Sequence, residues 1–111
     1  MNEPGSEWTA SETAAIVDAY IWMWMNDQAG RSFIKAQLVR SLMAGPIAGR
    51  SKQSIEYKFR NISKVFQEMK LPFVDGYVPA DNASDDIKEF VQIAFGRMAS
   101  RLEADSERMW G

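Results

Sequence analysis

Apolar residues return at helical spacing in four stretches of this chain. The clearest stretch is 49–69. There Ile55, Phe59, Ile62, Phe66 and Met69 follow one another at intervals of 4, 3, 4 and 3, which keeps them on one stripe. Gln53, Tyr57, Arg60, Asn61 and Lys64 fall on the opposite side, and Ser51 stands where a helix N-cap is expected. The pattern predicts a helix over 51–69 with an apolar back and a basic, amide-rich front.

The other stretches predict three more helices. Thr9 with Glu12 makes a capping box, with Trp8 as a hydrophobic lid, and the helix it opens is expected to run to about residue 27, before Gly30. Ile16, Tyr20 and Met23 form its stripe, with Ala19 and Trp24 beside them. Trp22 and Met25 point away, either to pack on a fourth helix or, with Trp110, to offer a patch to a partner chain. Ile34, Leu38 and Leu42, flanked by Phe33 and Val39, predict a second helix over about 32–44. Lys35 and Arg40 lie on its polar side, and Gly45-Pro46 stops it. The segment LPFVDGYVP reads as extended, with its Phe, Val and Tyr side chains closing the core. A fourth helix is expected from Asn82 or Ser84, with Asp85 and Asp86 in its first turn. Its seam is Ile87, Val91, Ala94, Met98 and Leu102, widened by Phe90 and Phe95. No strand pattern appears. The expected fold is all-α: one four-helix, helix-turn-helix-like domain over 8–103, with an extended Pro/Gly loop before the last helix. Residues 1–7 are expected to be a flexible tail and 104–111 a frayed end.

Composition narrows the chemistry. With 111 residues there is room for one core. The chain has no cysteine and no histidine, so thiolate or imidazole metal sites and Ser-His or Cys-His catalysis are not available to it. The missing cysteines fit a reducing compartment, the opening MNEPGSEW does not read as a secretory signal, and no apolar run is long enough for a membrane span. A cytoplasmic, non-membrane protein is expected. Asp81, Asp85, Asp86 and Glu89 are read as capping and dipole partners rather than as metal ligands. No cofactor and no enzymatic activity are expected.

The net charge of −2 hides a segregation. Residues 31–64 hold eight bases (Arg31, Lys35, Arg40, Arg50, Lys52, Lys58, Arg60 and Lys64) and one acid, Glu56, a local balance of +7; five bases and fourteen acids elsewhere give −9. Arg pairs with guanine edges, Asn and Gln with adenine edges, and Lys and Tyr with phosphates. The expected DNA contacts are therefore Lys35, Arg40, Arg50, Ser51, Lys52, Gln53, Tyr57, Arg60, Asn61 and Lys64.

Trp8-Thr9 with Glu12 resembles the opening of Myb/SANT-type tri-helical DNA-binding domains. The run Gly49-Arg50-Ser51, Ser54-Ile55-Glu56, Lys58, Asn61-Ile62-Ser63, with Tyr20, Lys35, Val65, Gly76-Tyr77 and Pro79, resembles a small N-terminal helical domain of bacterial HNH-nuclease and restriction-type proteins. The likeness covers about residues 8–95. It implies a target-sensing DNA-binding module rather than a nuclease, acting alone or with a separate nuclease partner. A protein-interaction module, an adaptor or inhibitor that is dimeric through Trp22, Met25 and Trp110, is the alternative.

Overall fold

The computed structural model describes the backbone of residues 7–110 and the side chains of 7–101 and 104. Residues 1–6 of the expected tail and the side chains of Leu102 and Trp110 lie outside the described residues. The fold is all-α, with helices α1 (Ala10–Gln28), α2 (Lys35–Ala44), α3 (Lys52–Glu68) and α4 (Asp85–Trp110). No strand occurs among the described residues. The backbone of 104–110, expected to fray, continues α4. No helix among the described residues is long and apolar enough to cross a membrane.

Local chemistry sets the helix starts. In α1 the Glu12 amide donates to Thr9 Oγ1 at 3.1 Å, and the Thr9 amide donates to Glu12 Oε1 at 3.0 Å, the reciprocal capping box. In α3 the Ser54 amide donates to Ser51 Oγ at 3.1 Å, and in α4 the Ile87 amide reaches Ser84 Oγ at 3.4 Å. α2 has no side-chain cap and starts three residues later than the pattern suggested. Residues 32–34 are not helical, which leaves Ile34 59% exposed. Val39 and Leu42 are the residues of α2 that are buried, and Leu38 is half-buried.

α3 is the centre of the packing and touches each of the other helices. Ile55, Phe59, Ile62 and Phe66 are fully buried, whereas Met69, the last residue of the expected stripe, caps the helix and is exposed. Tyr20 of α1 meets Phe66 at 4.8 Å between ring centroids, Phe66 meets Phe95 of α4 at 5.3 Å, and Trp24 meets Phe95 at 5.6 Å. Trp24 is thus among the α1 side chains that reach α4. Trp22 and Met25 are exposed, so the expectation that they pack on the fourth helix fails.

The connector between α3 and α4 closes the core, but only in part as expected. Val74 and Tyr77 are buried, whereas Phe73 and Val78 are exposed. The Val74 amide donates to the Tyr20 hydroxyl at 2.9 Å, and that hydroxyl shares a 2.7 Å hydrogen bond with Ser63. Burial raises the Tyr20 phenol above its ordinary value, and burial with the nearby Glu56 pushes Tyr77 up to about 12. Both rings therefore stay neutral over the ordinary pH range, and the Tyr20 hydroxyl keeps its hydrogen bonds.

Candidate functional site

On a helix of about 3.6 residues per turn, Gln53, Tyr57, Arg60 and Lys64 fall within an arc of roughly 60°. Gln53, Tyr57 and Arg60 are exposed and Lys64 is half-buried. The Arg60 guanidinium lies over the Tyr57 ring, 5.6 Å from its centroid. Lys52 and Ser51 are exposed at the start of the same helix, and Arg40 is exposed on α2. The first turn of α3 carries no acid, unlike those of α1 and α4. The backbone amides, Lys52 and the helix dipole all contribute positive potential there.

Three of the expected contact residues are committed elsewhere. Arg50 is 5% exposed; its Nη2 donates to Glu12 Oε1 at 3.0 Å and its Nε to Glu12 Oε2 at 3.2 Å, a bidentate ion pair. It also donates to the Glu7 carbonyl at 2.8 Å and lies 4.9 Å from the centroid of the Trp8 ring. The hydrogen bonds from Arg50 hold the Glu12 carboxyl below its ordinary value of 4.5, against the opposing effect of burial. Asn61 is 6% exposed and donates to the Asn82 carbonyl at 2.9 Å. It lies about 70° around the helix from the middle of the exposed arc, on the flank that α4's approach covers. Lys35 donates to the Asp75 carbonyl and sits 5.1 Å from the centroid of the Tyr77 ring. Arg50 and Asn61 are buried in these contacts, and Lys35 is half-buried against the connector.

The connector also crosses the front of α3. Tyr77 stacks on Phe59 with ring centroids 4.9 Å apart, Arg60 Nε donates to the Val78 carbonyl at 3.0 Å, and the Ala80 amide donates to the Arg60 carbonyl at 3.0 Å. The crossing leaves Ser51, Lys52, Gln53, Tyr57 and Arg60 on one side and Lys64, 3.5 Å from Gln67 Oε1, on the other. The sequence had shown an uninterrupted face.

Lys58, absent from the expected contacts, stands on the flank of α3 with its ammonium 5.2 Å from the Trp8 ring centroid. Burial and the Arg50 charge lower it from 10.5. Its helical azimuth, off the exposed arc, hid it. The sequence signal that bore on it was the lack of any nearby acid on that flank.

Trp22, 50% exposed, meets Phe33 edge-on at 5.5 Å, and Ile34 and Met25 are exposed close by in sequence. A groove runs along Trp22, Phe33, Ile34, Gln37, Leu38 and Ser41. The side chain of Trp110, the third residue of the expected interface, lies outside the described residues. No group of three or more acidic side chains close enough to hold a metal occurs among the described residues. Comparison of the chain with protein-family models, with curated proteins and with solved structures gives no match.

Proposed function

We propose that this protein is a non-enzymatic, helix-turn-helix-type module that binds double-stranded DNA through the N-terminal half of α3, as the target-sensing part of a bacterial restriction or defence system in the cytoplasm. The observation that carries the reading is the exposed set Ser51, Lys52, Gln53, Tyr57 and Arg60 on a helix start that has no acid in its first turn. The N-terminal residues of such a helix reach base edges when it enters a major groove. Gln53 suits an adenine edge; Arg60 holds the Val78 carbonyl through Nε and keeps its Nη groups for a guanine edge; Lys52 and Arg40 suit the flanking phosphates. The contact set is narrower than the sequence suggested, since Lys35, Arg50 and Asn61 are held within the fold. Lys64 stays as a phosphate contact beyond the connector. The −9 carried outside residues 31–64 keeps the rest of the surface from binding polyanions.

Fluorescence anisotropy with labelled duplex DNA over a salt series tests the proposal. Affinity should fall steeply with salt, and Lys52→Gln and Arg60→Gln should each flatten the log–log slope by about one unit. Failure to bind any duplex at low salt sinks the reading. The exposed Trp22, Met25 and Ile34 favour a second reading, a protein-interaction surface that pairs two copies. Light scattering decides it: a dimer that Trp22→Ala converts to a monomer, with no DNA affinity in either, would replace the first reading by the second.

A further inference from the structure

Lys58 stands apart from the other cations of the basic segment. Among the described residues it makes no hydrogen bond and no ion pair. The charge that acts on it through space is that of another cation, Arg50. The acid on that flank, Glu12, is taken by Arg50 at 3.0 Å. Glu56, two residues away on α3, lies about 160° around the helix. Lys58 is half-buried against the face of Trp8, which supports the ammonium without neutralising it. Arg50 is itself balanced by Glu12, so the main burden on Lys58 is its half-burial without a carboxylate of its own, and an arriving anion would relieve it.

The surroundings point to the kind of anion. Ser54 is one turn before Lys58 on the same flank and half-buried. Side chains on a helix lean toward its N-terminus, so the Lys58 stem passes over the turn that carries Ser54. A hydroxyl and an ammonium one turn apart suit a tetrahedral oxyanion with several acceptor oxygens. Ser54 lies about 100° around α3 from Gln53 and Lys58 about 100° from Tyr57, on the side of the helix beside the exposed stripe, where a backbone phosphate would flank a helix seated in a groove.

We propose that Lys58, held on the Trp8 ring and aided by Ser54, is a contact for a backbone phosphate of duplex DNA. The inference rests on the DNA-binding reading and adds a residue and a role to it. A lysine serving only the fold would destabilise the protein when removed. A lysine waiting for an anion would not, because the free protein already bears the cost of its charge.

The test combines Lys58→Gln and Lys58→Arg with thermal melting and the anisotropy salt series. Lys58→Gln should melt at or above the wild-type temperature, bind the duplex more weakly, and flatten the log–log salt slope by about one unit. Lys58→Arg should restore the slope. Ser54→Ala, exposed to less risk of misfolding, should weaken binding in the same direction. A Lys58→Gln protein that melts lower and binds with the wild-type slope, while Arg60→Gln still loses a unit, overturns the Lys58 contact and leaves the DNA reading standing. No binding by any variant or the wild type overturns both. Phosphate replacing chloride at matched ionic strength should displace the duplex no better than chloride does. Displacement specific to phosphate and abolished by Lys58→Gln would assign the site to a free phosphate and overturn the duplex contact.

Discussion

Glu12 accepts hydrogen bonds from two parts of the chain at once. Its Oε1 takes the Thr9 amide of its own helix and the Arg50 guanidinium from 38 residues away, and its Oε2 takes Arg50 Nε. The side chains of both partners are nearly covered, 7% exposed for Glu12 and 3% for Arg50. Removing one partner strands the other charge without water, at a cost on the order of 3 kcal/mol. Urea unfolding at neutral pH should therefore find Glu12→Gln and Arg50→Met each destabilised by about that amount, with the double variant better than the sum of the two. Acid should act as the mutation does. Because the carboxyl is held below 4.5 in the folded protein, its stabilisation is complete above 4.5 and disappears as pH falls through the lower, folded-state value. Single variants that unfold like the wild type would show that the pair contributes nothing to stability.

At the scale of elements, the connector from residue 70 to 84 decides what α3 can present. It is fastened to α1 by Trp24 Nε1, which donates to the Pro72 carbonyl at 2.8 Å, and to α2 by Lys35 at Asp75. It is fastened to α3 through Arg60 and Asn61. Its turn at Asp75-Gly76 depends on Gly76, whose φ of 91° is a left-handed conformation that a Cβ disfavours. A Cβ there would also stand 2.6 Å from Lys35 Nζ, a side-chain end that can move aside, so the backbone sets the cost. Gly76→Ala should lower stability by about 1–2 kcal/mol in denaturant unfolding. An unchanged unfolding midpoint would mean that the turn relaxes without loss.

Across the whole molecule, what could be read from the sequence follows a simple division. Periodicity and capping report local physics, so the four helices, the Thr9 and Ser51 caps and the central stripe of α3 were legible residue by residue. Contacts over long sequence separations were not. Arg50 looked like a surface base because Glu12 is 38 residues off; Asn61 looked like a DNA reader because the Asn82 carbonyl that claims it is 21 residues off. Trp22 and Trp24 are two residues apart, and spacing alone could not say that Trp24 meets α4 while Trp22 meets Phe33. Of the expected contact set, the exposed stripe from Ser51 to Arg60 was legible because a helix's outward face follows from its inward one. The crossing connector was not, because an extended segment carries no period that says where it lies.

The Tyr20 hydroxyl carries a further consequence, one of order in time. Its partners, Ser63 and Val74, are 43 and 54 residues away along the chain. Helical turns form in well under a microsecond, whereas a bond that must wait for loops of that length to close comes later. α1 has to find α3 before the hydroxyl can meet Ser63, and the connector has to reach α1 before the Val74 amide can donate to that hydroxyl. The strap that crosses α3 is thus held by a bond that no local segment can make by itself: it waits on the closure of a loop of dozens of residues.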